Sequence, residues 1–428
     1  MSVIGGIIGS GIFINPAIVA QRVGTARLTL GVWALGGAIA LIGAFCFAEL
    51  GARYPKAGGG YVYLREAFGE IPAFLQAWTL LLVMATGAMA AVAFTFAGYA
   101  AALAGLPDTA IPWLAIAAIV LLSAVNYVGV RPGAITQNIF TLLKLCALAV
   151  LIVGGLIAAS RGQAMPADDA LRPQGATGML IAVGVALVPV LFAYGGWQQT
   201  NFIAEELVDA ARDLPRALLL GVGAVVLVYV LANFTYLQAL GAGGLARSHA
   251  PAADTMRALL GPAGATFISA GIAISTFGFL NLVILVSPRV YQTMAADGLF
   301  FPRFARLHPR FRTPTTAIVF QGLWAVLLLK TGTYGQLLDY VVFCDWIFFG
   351  LAAATLFVFR NRDRDGGTAA PAGFRVPGYP ITPALFVVAA VYAVLGSVAS
   401  NPGNALRGLL ILAAGLPVYL FWRWRRAA

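Results

Sequence analysis

Charged side chains in this chain are separated by long runs that contain none. Such runs cover residues 1–21, 28–48, 71–107, 109–130, 173–204, 217–246, 258–288, 313–329 and 376–406. A bilayer core about 30 Å thick is crossed by about 20 apolar residues at 1.5 Å rise per residue, so most of these runs are long enough to span. The segments near 135–160, 335–359 and 404–423 are also apolar enough, although the first two carry Lys144, Asp339 and Asp345. The expected architecture is therefore an all-α integral membrane protein with twelve transmembrane helices. Composition agrees: 61% of residues are hydrophobic and 10% charged, against roughly 45–50% and about 25% in soluble chains. Soluble enzymes, disordered proteins and disulfide scaffolds are excluded on that ground.

Lys and Arg set the expected orientation. With the start of the chain inside, the inner loops and the C-terminus hold 18 Lys and Arg and the outer loops 8, leaving Lys144 within the bilayer. Both termini are expected in the cytoplasm. The formal net charge of +11 is then a consequence of topology and implies no nucleic-acid partner. Residues 1–13 do not read as a signal peptide, because they begin apolar and run into glycines. The lack of a basic stretch before the first crossing suggests that further residues precede Met1.

The three Cys, at 46, 146 and 344, all fall inside expected spans and read as small packing residues. The two His, at 249 and 308, fall in loops. No metal site and no cofactor are expected, and no His, Cys or paired-acid constellation suggests an enzyme.

Two crossings are interrupted alike. The first reads Gly5-Gly6-Ile7-Ile8-Gly9-Ser10-Gly11-Ile12-Phe13, and the sixth Phe192-Ala193-Tyr194-Gly195-Gly196-Trp197-Gln198. Glycine is common in membrane helices simply because it allows close packing. Paired glycine interruptions at matching places in two halves point instead to a transporter built from inverted repeats. The expected units are a first repeat over 1–160, broken near 9–11, a second over 177–359, broken near 194–198, and two extra helices over 381–424.

A helix broken in mid-membrane exposes N–H groups at one new end and C=O groups at the other, each end bearing about half an elementary charge. An α-amino acid carries both matching charges. Its carboxylate is expected on the N–H groups of Ser10, Gly11 and Ile12. Its ammonium is expected on the carbonyls of Ile7, Ile8, Phe192, Ala193 and Gly195. No acid or base lies beside either break in the sequence, which favours a net-neutral substrate. Phe192 reads equally as a lid or as plain core. Trp197 and Gln198 read as pocket lining or as the restart of the sixth helix. Tyr229, Asn233 and Tyr236 share one helix face and read as a pocket wall or as interhelical glue.

Lys144 lies about 14 Å deep at 1.5 Å per residue, too deep for easy snorkelling. Its ammonium suits the place of a bound cation, between the first break and hydroxyls such as Ser275 and Thr276; the plainer reading is a fixed strut. Asp345 reads as an architectural partner, and as a proton carrier it would imply symport. Glu205 and Glu206, with Asp209 and Asp213, face Arg212, Arg216, Arg289 and Arg303 in the inner loops. They read as an inner-gate latch or as solvated loop charges.

The strings Gly6-Ile7-Ile8-Gly9-Ser10-Gly11-Ile12-Phe13, Phe192-Ala193-Tyr194-Gly195-Gly196-Trp197 followed by Glu205-Glu206, Lys144-Leu145-Cys146-Ala147-Leu148 and Ser287-Pro288-Arg289-Val290-Tyr291 through Asp297-Gly298 resemble the L-type amino acid transporters. These belong to the amino acid, polyamine and organocation superfamily. The resemblance implies a fold like that of the bacterial leucine transporter, with five plus five inverted repeats, and sodium-independent exchange of neutral L-amino acids. It also implies carboxylate binding at Ser10 and Gly11, outer closure by Phe192 and a sodium-substitute role for Lys144. The family's first half-helix is longer and has a cytoplasmic tail, so the inner gate of this version is expected to be incomplete. Animal members attach a single-span partner through a loop Cys, and Gly105-Leu106-Pro107-Asp108-Thr109 has none. A free-standing bacterial permease of the inner membrane is expected, without a disulfide-linked heavy subunit. The competing expectations are a proton-coupled amino acid symporter and a non-transporting amino acid sensor.

Overall fold

The computed structural model describes residues 2–161, 175–207, 209–331, 334–365 and 373–427. In chain order the helices are α1 (Ser2–Ile7), α2 (Gly11–Val23), α3 (Ala26–Arg53), α4 (Gly60–Phe68), α5 (Glu70–Thr79), α6 (Ala85–Ala104), α7 (Ile111–Val128) and α8 (Val130–Ser160). They continue with α9 (Gly175–Tyr194), α10 (Ala210–Arg247), α11 (Pro251–Ala296), α12 (Pro302–Ala305), α13 (Thr315–Thr331), α14 (Tyr334–Arg364), α15 (Ile381–Ser400) and α16 (Pro402–Ala427). A π turn, Leu80–Met84, joins α5 to α6, and a 3-10 helix, Trp197–Glu206, follows α9. Among the described residues there is no strand. Among the described residues ten helices are long and apolar enough to cross a membrane, and Thr315–Lys330 is a shorter apolar helix.

Local chemistry sets the joints. Gly24, at φ 73°, closes α2 in the left-handed region, and the Thr25 hydroxyl accepts from the Leu28 N–H to open α3. That is the usual pairing of a C-terminal glycine with a hydroxyl N-cap, compressed into two residues.

Proline inside a helix removes the N–H that would serve the carbonyl four residues earlier. In lipid such a carbonyl needs another donor. Pro189 in α9 leaves the Val185 carbonyl without its donor, and Arg22 Nη1 supplies one at 2.5 Å. Pro288 in α11 does the same to Ile284, served by Gln321 Nε2 at 3.0 Å. Asn15 Nδ2 also donates to the Pro189 carbonyl at 2.6 Å, so two side chains of α2 tie it to α9. The π turn is held in the same manner, with Leu82 accepting from Trp324 Nε1 at 2.9 Å and Leu81 from Thr86 Oγ1 at 2.8 Å.

Small residues let helices approach where lipid offers no hydrophobic drive. Along α3, Gly37 faces Val226 of α10, Gly43 faces Phe386 of α15 and Gly51 faces Leu214 of α10. The large outward residues Trp113, Leu220, Leu323 and Val388 are all exposed, as a lipid-facing belt requires. α1 and most of α2 are buried within the bundle, whereas α9 keeps Leu180 and Ile181 exposed. α1 packs on α8, α10, α11 and the 3-10 helix, and α2 on α9, α10 and α11.

The Cys residues divide. Cys46 and Cys344 are buried packing residues, but Cys146 is exposed, because its place on α8 turns it outward, as it does Leu142 and Leu143.

Candidate substrate site

Both interruptions are present. α1 ends at Ile7 and α2 begins at Gly11; α9 ends at Tyr194 and the 3-10 helix begins at Trp197. The two meet backbone to backbone. Gly196 has φ 105°, and a Cβ there would collide with the Gly6 carbonyl. A Cβ on Gly11 would come within 2.6 Å of both Cα and Cβ of Ala193. Only glycine allows these contacts, and the positive φ at Gly196 adds a second reason.

The breaks open onto one cavity. It lies between the two breaks, α11 and α14. Its wall takes Ile7, Gly9, Ser10 and Gly11 from the first break and Phe192, Ala193, Gly195, Gly196 and Gln198 from the second. Leu80 and Met84 come from the π turn, Phe279 and Ser287 from α11, and Asp345, Trp346 and Phe349 from α14. A π turn facing a cavity is a common functional irregularity. Leu80, Met84 and Phe279 were not singled out in the sequence, where they are indistinguishable from core.

The carbonyls at the breaks are largely engaged by the protein itself. Ile8 O accepts from Lys144 Nζ at 2.6 Å and from Ser275 Oγ at 3.3 Å, while Gly5 O accepts from Lys144 Nζ at 2.8 Å. The ammonium thus occupies the negative end of the α1 dipole. The Tyr229 hydroxyl lies 3.1 Å from Ile7 O and 3.2 Å from Ala193 O, bridging the two breaks. Phe192 O accepts from the Gly195 N–H at 3.1 Å. Ile8 and Ile12 are fully buried away from the cavity wall, so the expected ammonium seat on Ile8 is already taken by Lys144. On the N–H side, the first turn of a helix leaves amides without intrahelical acceptors, and Ser10 and Gly11 carry that end of α2 to the cavity wall.

Several expectations need correcting. Thr276 does not join Lys144, because its hydroxyl donates to Ile272 and Ala273 of its own helix, about 100° around from Ser275. Trp197 lies behind the cavity in a cluster with Phe47, Phe349 and Phe386. Gln198 both lines the cavity and accepts the Gly196 N–H at 2.9 Å. Asn233 donates back to Tyr229 O, a tie within α10. Glu205 receives the Ala57 N–H at 3.3 Å and makes no ion pair among the described residues, while Arg289 donates to Leu285 O of its own helix. The side chain of Glu206 lies outside the described residues. Asp297 instead pairs with Arg65 Nη1 at 2.5 Å and accepts from the Tyr61 hydroxyl at 2.6 Å. The largest change concerns Asp345. It is not a structural partner: its carboxylate has no ion pair or side-chain hydrogen bond among the described residues, and it lines the cavity.

Comparison with known proteins places these features in context. A family model described as amino acid permease matches residues 1–420. The chain is 33% identical to human b(0,+)-type amino acid transporter 1 over 425 residues, covering 98% of this chain and 85% of the relative. It is 34% identical to the mouse large neutral amino acids transporter small subunit 2 over 435 residues, covering 98% and 80%. With the rabbit b(0,+)-type transporter it shares 36% over 362 residues, covering 84% and 74%. A multi-pass helical membrane protein matched along nearly its whole length by these relatives belongs to the amino acid permease family.

Proposed function

We propose that this chain is a sodium-independent exchanger of L-α-amino acids, neutral ones among them, that works by alternating access around the two breaks. The observation that carries this is the single cavity walled by both interruptions. The positive end of α2 at Ser10 and Gly11 receives the α-carboxylate. Wall carbonyls of the second break, with that of Ile7, receive the α-ammonium. Phe192, on the wall and partly exposed, closes one side. Lys144 fills with a fixed ammonium the carbonyl end of α1, where a sodium-driven carrier would hold its ion.

In this reading α1 and α2 form one broken crossing and Thr315–Lys330 another, which with the ten long helices gives twelve. Residues 1–160 and 177–359 are the inverted repeats and 381–424 the two appended helices. Both termini face the cytoplasm of a bacterial plasma membrane, on the side where Arg is concentrated. The loop between α6 and α7, without cysteine, makes no disulfide to a partner.

Purified protein in liposomes tests the reading. Uptake of labelled leucine or alanine should require unlabelled amino acid inside and persist when choline replaces sodium. Sodium-dependent uptake, uptake into empty vesicles driven by a pH gradient, or binding without flux would each overturn it, the last in favour of a sensor.

A further inference from the structure

We infer that Asp345 is a specificity-determining residue, the counter-charge for a positively charged side chain on the transported amino acid. The inference rests on the function proposed above and names a substrate class for it. Among the described residues that wall the cavity, Asp345 is the only charged one. Lys144 is fully buried and turned to the carbonyls of Gly5 and Ile8. A carboxylate in an apolar interior is kept only when something pairs with it, and no described residue does so.

The surroundings specify the partner. Asp345 is flanked on the wall by Trp346 and Phe349, whose ring centroids lie 5.8 Å apart at 74°. Phe279 closes on the same space. Ring faces attract organic cations, and a carboxylate beside them adds a charge-assisted hydrogen bond. The helix ends at the two breaks already match an α-carboxylate and an α-ammonium. The remaining fixed charge is one negative charge on α14, which a lysine-like or arginine-like side chain balances and a neutral one leaves uncompensated.

The experiment is competition against labelled leucine exchange in leucine-loaded liposomes. Its key pair is lysine and norleucine, which differ in the terminal ammonium alone. Lysine should compete at a concentration about tenfold or more below that of norleucine, the scale of one charge-assisted hydrogen bond. In Asp345→Asn the ratio should fall to about one, whatever exchange rate survives, and Asp345→Glu should keep lysine ahead. Leucine exchange with lysine no better than norleucine overturns the inference and leaves the proposed function standing. So does an undiminished lysine advantage in Asp345→Asn. If neither substitution yields folded protein, the wild-type ratio decides alone. An absence of any amino acid exchange removes the proposed function and this inference with it.

Discussion

Single atoms decide whether the breaks hold. Gly11→Ala puts a methyl group 2.6 Å from Ala193, against backbone that cannot rotate away. Exchange should fall about tenfold or more, with a stability loss of about 1–3 kcal/mol from overpacking; labelled-leucine flux and thermal unfolding in detergent measure the two. Gly196→Ala should be worse, because its φ of 105° adds strain to the collision with Gly6. Lys144→Met removes the donor from the buried carbonyls of Gly5 and Ile8. Ser275 still serves Ile8, so the expected loss is about 1–3 kcal/mol for the unsatisfied acceptor, together with loss of exchange. Unchanged transport in Lys144→Met would show that the ammonium takes no part in the cycle.

Elements are joined by buried charge at one end of the bundle. Glu49, only 2% exposed at the end of α3, accepts from Arg360 Nε and Nη2 at 2.8 and 2.7 Å and from the Val376 N–H at 2.7 Å. Arg53 pairs with Asp363 through two bonds of 2.8 and 2.7 Å. The ends of α3 and α14 and the segment before α15 are thereby locked together. Glu49→Ala should cost about 3–5 kcal/mol, because it strands Arg360 in a low-dielectric site. Hydrogen exchange at residues 373–380 should rise with it. Nearby, Tyr61 and Arg65 converge on Asp297. Burial, then the Asp297 hydrogen bond, hold the Tyr61 phenol well above its ordinary range. That contribution to stability is complete below about pH 10, the unfolded value, and declines as pH rises above it. Tyr61→Phe should flatten this alkaline decline in thermal unfolding.

At the scale of the whole molecule, the proposed function has a substrate gripped at both breaks, bridging α2 and α9, and predicts that it stabilises the assembly by mass action. Leucine at a hundredfold its Kd should add about 2.7 kcal/mol to the unfolding free energy. Leucinol, without the carboxylate, and the des-amino acid, without the ammonium, should add almost nothing at the same concentration. Equal stabilisation by all three would contradict a site built from two helix ends.

Much of this was legible in the sequence because lipid is a strict solvent. Long charge-free runs point to helices there, and paired glycine interruptions among polar groups point to breaks facing a protected space, against the plainer reading of close packing. What no linear pattern contains is which carbonyl meets which donor. Ser275 and Thr276 are neighbours in sequence, yet only the first reaches Ile8. Glu205 lies near many Arg in the chain and takes a backbone N–H instead. Asp345, about 150 residues beyond the second break, reads as architecture until packing turns it into the cavity. The amino-acid order by itself determined a helical membrane chain with two interrupted rods, since burying unpaired peptide groups in hydrocarbon costs several kcal/mol each. Only the tertiary structure decided that the negative end of α1 is neutralised by Lys144 while a carboxylate lines the cavity, because side-chain charge acts over a few ångströms and those distances exist only once the helices have packed.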